Sequence, residues 1–206
     1  MEKKEISKAV LKRLPGYLSY LKGLDVQYIS ATAIAAALNM GEVQVRKDLA
    51  AVSDGGRPKV GYERTSLMED IRSFLGYDNT TDAILVGAGK LGQALLGYSG
   101  FDAYGLNILA AFDVAPCCTE AEGKPILPIS ALPEFCRAQN VLMAIITVPV
   151  DAAQQVCDQL IGCGIKAIWN FAPTHLEVPD GILVQNENMA TSLAVLSMHL
   201  QAQIKK

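Results

Sequence analysis

Leu85-Val-Gly87-Ala-Gly89-Lys-Leu-Gly92 is the most informative segment of this 206-residue sequence about its architecture. It follows the apolar residues 83–86 and opens a run with helical periodicity, which places the glycines in a strand-to-helix turn. In such a turn the first glycine allows the bend, the second lets the backbone approach a pyrophosphate, and the third lets helix and strand pack closely. The free N–H groups and the helix dipole then bind phosphates. The stretch therefore predicts a dinucleotide-binding turn.

An acidic residue lies where such a turn needs one. Asp113 ends the next predicted strand, 26 residues after Gly87. An acid at this place should accept hydrogen bonds from the adenosine ribose hydroxyls and repel a 2′-phosphate, so NAD(H) is favoured over NADP(H). The alternative is a glycine-rich turn that binds nothing, with Asp113 as a solvated strand end.

Residues 77–206 alternate apolar strands with helices, which is typical of a Rossmann-like parallel sheet covered on both faces. Thr147-Val-Pro149 and Asn170-Phe-Ala-Pro173 end two of these strands and would lie at the carboxyl edge of the sheet, where ligands bind. Prolines that simply terminate strands are the alternative. The predicted strands are 82–87, 107–113, 141–148 and 167–171, and the predicted helices are 91–98, 129–136, 152–161 and 189–204.

The first 76 residues predict a different architecture. Ser30 is a suitable N-cap for an alanine-rich helix to about Leu38, and Asn39-Met-Gly41 forms a turn before a second helix. Two short helices joined by a tight turn that contains glycine form a helix-turn-helix, whose second helix enters the major groove of DNA.

The segments around this motif complete a winged helix. Gly55-Gly-Arg-Pro-Lys-Val-Gly61 has three glycines, a proline and two cations in seven residues, which predicts a basic hairpin tip, the wing. A helix is expected before the motif at 6–23, broken or restarted at Pro15. Another helix is expected at 66–75, and residues 76–81 are expected to form the linker between domains.

The charges are distributed unevenly along the chain. The net charge is −3, but residues 1–76 carry 12 basic and 9 acidic residues, and residues 77–206 carry 6 and 12, so the formal charges are +3 and −6. Arg46 and Lys47 fall on the second helix of the motif, and Arg57 and Lys59 fall in the wing. We expect a nucleic-acid footprint only there. A solvated charged face is the alternative.

Few residues suit catalysis or metal binding. Neither His175 nor His199 has a carboxylate beside it in sequence, and the five cysteines lack the spacing of a zinc site, so we expect no catalytic residue and no metal. Cys117 and Cys118 could sense oxidants, but ordinary reduced thiols are the simpler interpretation. No apolar run reaches about 18 residues, and the N-terminus has no signal core, so a cytoplasmic protein is expected.

The sequence resembles the Rex family of bacterial redox-sensing transcriptional repressors over nearly its whole length. A DNA-binding segment of this kind joined to a dinucleotide motif is highly specific, whereas either half alone is not. The resemblance rests on Arg13-Leu-Pro-Gly-Tyr17, Gln44-Val-Arg-Lys-Asp-Leu49, Val60-Gly-Tyr62, Leu85-Val-Gly-Ala-Gly-Lys-Leu-Gly92, Ala111-Phe-Asp113, Ile145-Ile-Thr-Val-Pro149 and Asn170-Phe-Ala-Pro173.

The resemblance implies a homodimer whose C-terminal helix is exchanged between subunits and packs near the partner's cofactor. It also implies binding to palindromic operators when NADH is scarce and release when NADH rises. The implied DNA contacts are Gln44, Arg46 and Lys47, to which the wing adds Arg57 and Lys59. The implied cofactor site comprises Gly87, Ala88, Gly89, Lys90, Leu91, Gly92, Tyr98, Asp113, Thr147, Val148, Pro149, Asn170 and Phe171.

The chain departs from the family pattern at its switch. The family often has a Val-Asp pair before the last helix, whose aspartate acts with a tyrosine and an arginine of the N-terminal domain. This chain has Glu187-Asn188-Met189 there, and a neutral amide changes the response to a nicotinamide that is charged only when oxidised. A paralogue with altered sensing is therefore an alternative. The switch candidates are Arg13, Tyr98, Glu187 and Asn188.

We therefore expect an α/β protein with a winged helix-turn-helix DNA-binding domain at 1–78. A Rossmann-like NAD(H)-binding domain follows at 79–188, and a C-terminal dimerisation helix at 189–206. The expected function is that of a repressor which senses the NADH/NAD⁺ ratio, and not that of an enzyme. The alternatives are a small NAD-dependent oxidoreductase and a DNA-binding regulator with an altered nucleotide response.

Overall fold

The structure, a computed structural model, describes residues 7–204. It divides into two compact units. The N-terminal unit contains the chain up to Asn79 together with Ala103–Gly105, and the C-terminal unit contains Thr80–Asp102 and the chain from Leu106 onward.

The N-terminal unit consists of helices and a short antiparallel sheet. The predicted N-cap is present, because the Ser30 hydroxyl accepts a hydrogen bond from the Ala33 N–H at 3.1 Å. Helices α2 and α3 form the predicted helix-turn-helix. The elements are α1 (Lys8–Lys22), β1 (Tyr28–Ile29), α2 (Ala31–Ala37), α3 (Glu42–Val52), β2 (Tyr62–Glu63) and α4 (Arg64–Leu75).

Helix α1 passes through Pro15 without a break, so the predicted interruption is wrong. Proline removes one backbone hydrogen bond and costs a helix interior about 3 kcal/mol. Leu14, Leu18 and Leu21 flank it and are at most 1% exposed. Burying one such side chain contributes about 1.5–3 kcal/mol, so tertiary packing outweighs the proline.

The wing is a loop held at its base and not a paired hairpin. The only β-type pairing that the structure describes within the wing is a single bridge between Arg57 and Gly61. Strand β2, which follows the wing, pairs with β1. Gly61 has φ +91°, and a Cβ there would lie 2.3 Å from the Ile29 carbonyl oxygen. A glycine is therefore required where the wing returns to the sheet. Helix α4 begins at Arg64, two residues before the predicted start.

The C-terminal unit is a twisted α/β sheet with the strand order β5-β6-β4-β3-β7-β8-β9. All neighbouring strands are parallel except the β5–β6 pair. The order changes direction between β3 and β7, which creates the crevice where open sheets bind ligands. The elements are β3 (Thr81–Val86), α5 (Lys90–Leu96), β4 (Leu106–Asp113), β5 (Glu120–Ala121), β6 (Lys124–Pro128), α6 (Leu132–Gln139), β7 (Met143–Ile146), α7 (Val150–Gly162), β8 (Ala167–Asn170) and β9 (Leu183–Asn186).

Both faces of this sheet are buried, as predicted. Ile84 and Val86 of β3 belong to one apolar cluster, and Ala83 and Leu85 belong to the other. Thr81 was expected in the linker but pairs with Leu106 in the sheet. The predicted strand at 141–148 is shorter, because the Val141 N–H donates to the turn that ends α6.

Helix α8 spans Met189–Ile204, the same range as predicted. Every residue from 190 to 204 is exposed. Its large apolar side chains include Leu193, Leu196, Leu200 and Ile204, which recur at helical spacing and are 55–74% exposed. An apolar face of this kind is unusual on a single chain.

Candidate functional site

The glycine turn after β3 has the shape that the sequence predicts. Gly87 has φ +104°, and a Cβ on Gly92 would lie 1.9 Å from the Gly87 carbonyl oxygen, so these two positions require glycine. A Cβ on Gly89 would meet no atom within 4 Å. The open space at Gly89 is therefore available to a ligand that approaches the backbone.

Asp113 joins the end of β4 to this turn. One carboxylate oxygen accepts from the Ala88 N–H at 2.7 Å, and the other accepts from the Ala115 N–H at 2.9 Å. On the opposite side, the Thr147 hydroxyl donates to the Gly87 carbonyl at 2.7 Å. Each carboxylate oxygen keeps a further lone pair for an incoming hydroxyl. The turn is thus held from both neighbouring strands and leaves an acceptor at its edge.

A cleft of about 480 Å³ opens above the turn, at the carboxyl ends of β3, β4 and β7. Its wall is mostly apolar, as in many small-molecule sites. Predicted site residues that line it are Gly87, Gly89, Leu91, Asp113, Thr147, Val148, Pro149 and Phe171. Pro173, from the segment predicted at this edge, lines it too, and residues that sequence reasoning missed are Val86, Val114, Ile129, Ala152 and Val156.

Several predicted cofactor residues support this cleft without lining it. Gly92 and Ala88 are buried within the turn, and Lys90 is exposed beyond the lining. Asn170 is fully buried. Its amide donates to the carbonyls of Ala172 and Thr174 and to the Asn186 side chain, and its oxygen accepts from the Ala172 N–H. Asn170 therefore fixes the loop that carries Phe171 and Pro173.

An aromatic row leads from the cleft to Tyr98. Phe171 packs on Trp169, Trp169 meets Phe101 edge to face, and Phe101 meets Tyr98 in the same way, with ring centroids 4.8, 5.7 and 4.9 Å apart. Tyr98 itself is 55% exposed and does not line the cleft. Rings in T-shaped contact fix one another's orientation. Tyr98 is therefore linked to Phe171, at the wall of the cleft, by a continuous series of ring contacts.

The other switch candidates are engaged locally. The Glu187 carboxylate accepts from the Trp169 indole N–H at 2.9 Å. The Asn188 side-chain oxygen accepts from the Thr191 N–H at 3.2 Å, as an N-cap of α8 does. An aspartate at 188 could make the same cap, so the asparagine retains the helix start and removes only the charge.

Three predicted DNA-binding cations meet in one cleft of the N-terminal unit. Arg46 of α3 lines a space of about 450 Å³ together with Arg57 and Lys59 of the wing, and Arg46 also forms an ion pair with Glu42. Ser30 and Thr32, at the start of α2, line it as well and were missed by sequence reasoning. Lys47 and Gln44 are exposed on α3 outside this lining.

Helix α3 is fixed from beneath by a buried carboxylate. Asp48 is 1% exposed and accepts hydrogen bonds from Arg13, Tyr17 and Gln44 at 2.7–2.9 Å. Burial opposes ionisation of Asp48, but the hydrogen bonds from these three side chains outweigh it and lower the pKa of the carboxyl. Burial, together with the Asp48 contact, raises the pKa of Tyr17 to about 12. Asp48 therefore joins α3 to Arg13 and Tyr17 of α1, and it holds the Gln44 side chain on the same helix.

The part of the chain that the structure describes contains no group of three or more His, Cys, Asp or Glu residues that could hold a metal ion. Within residues 7–204, no helix has the length and apolar character to cross a membrane.

Comparison with known proteins matches both units. Residues 5–50 match the family model described as "Putative DNA-binding protein N-terminus", and residues 78–174 match the one described as "CoA binding domain". The redox-sensing transcriptional repressor Rex of Porphyromonas gingivalis is 42% identical over 93% of this chain and 90% of its own length. The redox-sensing transcriptional repressor Rex of Clostridioides difficile is 38% identical over 94% of this chain and 95% of its own length.

Solved structures of a Rex-family repressor, RSP, share the fold. RSP in complex with β-NAD⁺ and operator DNA has a TM-score of 0.89 and 33% identity, covering 97% of this chain and 94% of that one. RSP in complex with β-NADH has a TM-score of 0.88 and 32% identity over 97% and 96%. With these identities over almost the entire length, the chain belongs to the Rex family of redox-sensing transcriptional repressors.

Proposed function

We propose that this chain is a transcriptional repressor that binds operator DNA as a homodimer and is released when NADH binds. The observation that carries the proposal is the cleft lined by the glycine turn and Asp113, present in the same chain as a winged helix with a basic cleft. A bacterial repressor of this kind works in the cytoplasm, where we place it.

The chemistry of Asp113 supports NAD(H) as the ligand. Its carboxylate lies beside the turn, where the adenosine ribose of a bound dinucleotide would place its hydroxyls. A hydroxyl can donate to this acceptor, whereas the 2′-phosphate of NADP(H) or the 3′-phosphate of coenzyme A would meet a like charge. The same reasoning disfavours coenzyme A, although the matching family model is described as a CoA binding domain.

The predicted cofactor residues divide into three roles in this proposal. Gly87, Gly89 and Gly92 shape the pyrophosphate turn, and Thr147 holds it from β7. The apolar wall, with Pro149 and Phe171, takes the nicotinamide half. Through the aromatic row, Phe171 connects that half with Tyr98.

The coupling of ligand to DNA is a shift between conformations. A dimer presents two α3 helices, whose separation must match half-sites about one helical turn apart. A ligand changes DNA affinity only by its differential affinity for the two arrangements, typically about 1–3 kcal/mol. Asn188 supplies no charge beside the helix start, which favours a weaker discrimination between NADH and NAD⁺ as the second candidate behaviour.

Arg46→Ala is expected to weaken binding to every DNA sequence to a similar extent. The guanidinium is 64% exposed in the basic cleft, as a phosphate contact would be. Loss of one phosphate contact should reduce the slope of log K against log salt by about 1. Fluorescence anisotropy at several salt concentrations measures both effects.

Lys47→Ala is expected to behave alike, and Lys12→Ala, at an exposed cation of α1, is the matched control. If Arg46→Ala left the DNA affinity and the salt slope unchanged, Arg46 would belong to a solvated charged face and not to the DNA contact.

Leu196→Glu is expected to convert the protein from dimer to monomer. Leu196 is 65% exposed on α8, and a stripe of apolar side chains on this helix needs a partner to cover it. Light scattering after size exclusion should give twice the 22.0 kDa chain mass for the wild type and the single mass for the variant. Leu142→Glu is a matched control at a leucine that is 51% exposed outside α8. A dimer that survives Leu196→Glu would contradict this role of α8.

The proposal that the chain is not an enzyme has its own test. Absorbance at 340 nm in the presence of NADH and candidate carbonyl substrates detects turnover, and turnover would favour the oxidoreductase alternative. Operator release by NADH, compared with NAD⁺, tests the repressor directly.

A further inference from the structure

Two adjacent thiols lie on the loop that follows Asp113. Cys117 is exposed and Cys118 is half-buried, and their sulfurs are 3.7 Å apart. The pKa of Cys118 is raised, chiefly because its thiol hydrogen-bonds with Cys117. Both side chains therefore point to the same place on the surface of the C-terminal unit.

The pair is poorly placed for a direct disulfide. The Cα atoms of adjacent residues are about 3.8 Å apart across a trans peptide, whereas disulfides usually join Cα atoms about 4.4–6.8 Å apart. The sulfurs would also have to close from 3.7 Å to about 2.05 Å. A single atom that bridges the two sulfurs demands much less movement.

The number of available ligands restricts that bridging atom. Structural zinc needs four protein ligands, and no third His, Cys, Asp or Glu joins the pair among the described residues. A linear two-coordinate ion requires its two sulfurs on opposite sides of the metal, whereas these sulfurs lie side by side, 3.7 Å apart. Trivalent arsenic with one organic substituent needs two sulfurs and holds them in a bent arrangement.

We propose that Cys117 and Cys118 form a binding site for monosubstituted trivalent arsenicals. With an arsenoxide, the two S–H bonds and the arsenic–oxygen bond break, two As–S bonds form, and the two protons leave with the oxygen as one water. Arsenic stays trivalent, and neither sulfur is oxidised. No external oxidant or reductant takes part.

A hydrogen-bond path connects this site with the nucleotide cleft. The Gln93 amide donates to the Cys117 sulfur at 3.4 Å and to the Ala88 carbonyl of the glycine turn at 2.8 Å. When the Cys117 sulfur binds arsenic, Gln93 loses one of its two hydrogen-bond acceptors. Occupied thiols should therefore weaken NADH binding several-fold, an effect that rests on the proposed function.

Phenylarsine oxide added to the reduced full-length protein tests the site. Intact mass should show one phenylarsenic group per chain, removable by 2,3-dimercaptopropanol and absent from Cys117→Ser and from Cys118→Ser. The control is Cys136→Ser/Cys163→Ser, which should still bind the reagent. Cys136 is 2% exposed, and burial, with its Cys163 neighbour, raises its pKa to about 11.

An adduct that persists in the Cys117→Ser/Cys118→Ser double variant, or no adduct at equimolar reagent, would overturn the site. NADH affinity is measured on the same samples by nucleotide fluorescence. An adduct that leaves NADH affinity unchanged overturns the connection through Gln93. Failure of the untreated protein to bind NADH counts against the proposed function, while the mass measurement still decides the site.

Discussion

Gly92→Ala is expected to lower both NADH affinity and the stability of the C-terminal unit. The new Cβ would lie 1.9 Å from the Gly87 carbonyl oxygen and 3.0 Å from the Leu85 side chain, and that oxygen is held in place by the Thr147 hydroxyl. Helix α5 must then shift away from β3. Overpacking of this kind costs about 1–3 kcal/mol of stability. We expect the displaced turn to weaken NADH binding by about tenfold, which corresponds to about 1.4 kcal/mol of binding free energy. Calorimetric titration and thermal unfolding measure the two effects.

Two further glycines separate the ligand effect from the folding effect. Gly89→Ala introduces a Cβ into open space, so stability should stay unchanged while the methyl group obstructs the approach of a pyrophosphate. Gly162→Ala, at the end of α7, also meets no atom within 4 Å; it should leave NADH affinity unchanged and raise stability by up to about 1 kcal/mol, because alanine favours a helix over glycine. If the Gly92→Ala variant and the Gly89→Ala variant both bound NADH as tightly as the wild type, the turn would not be part of the nucleotide site.

Asp48→Asn is expected to destabilise the N-terminal unit by about 3 kcal/mol. Four donor groups, two of them from Arg13, converge on the two carboxylate oxygens, and an amide retains only one acceptor. Breaking a buried ion pair typically costs about 3–5 kcal/mol. The lower end applies because the Arg13 side chain is 25% exposed. Thermal unfolding followed by circular dichroism measures the loss, and operator affinity should fall with it because Gln44 loses its anchor.

Asp48 also gives this stability a defined pH dependence. Its pKa is lowered in the folded state, so its contribution is present above the ordinary aspartate pKa and is lost as pH falls through the lowered value. Asp48→Asn should therefore flatten the acid side of the stability profile. Asp25→Asn, at an exposed acid of the same unit, is the matched control. Equal stability of Asp48→Asn and Asp25→Asn at neutral pH would show that the carboxylate does not hold α3.

Local sequence patterns were sufficient for the nucleotide cleft. The glycine spacing and Asp113 define a turn whose geometry depends on neighbours close in sequence or in adjacent strands. The carboxyl ends of parallel strands share one edge of the sheet, so the positions of Thr147 and Phe171 at that edge were predictable from the sequence. The helix-turn-helix was predictable for a similar reason, since Ser30 and the turn after α2 are local signals.

Features that depend on distant contacts were not predictable in this way. The network around Asp48 joins α1 to α3 across 31 and 35 residues, and no local pattern marks a buried carboxylate. Packing on both sides keeps α1 continuous at Pro15. Strand β6 contains two prolines, Pro125 and Pro128, and β9 is short and exposed at an edge, so neither shows the apolar alternation of a strand. Asn170 was predicted as a ligand contact, and in the structure its side chain bonds its own loop and Asn186 at the end of β9.

Release of the protein from operator DNA by NADH distinguishes a redox-sensing repressor from the alternatives. The labelled probe is the operator duplex bound by the similar repressor RSP, and NADH and NAD⁺ are titrated separately against the protein–DNA complex by fluorescence anisotropy. We predict that saturating NADH weakens operator binding by about 5–150-fold, the usual range of allosteric coupling, and that NAD⁺ weakens it less. Equal effects of the two nucleotides would contradict redox sensing, and no effect of either would contradict the coupling of the two units.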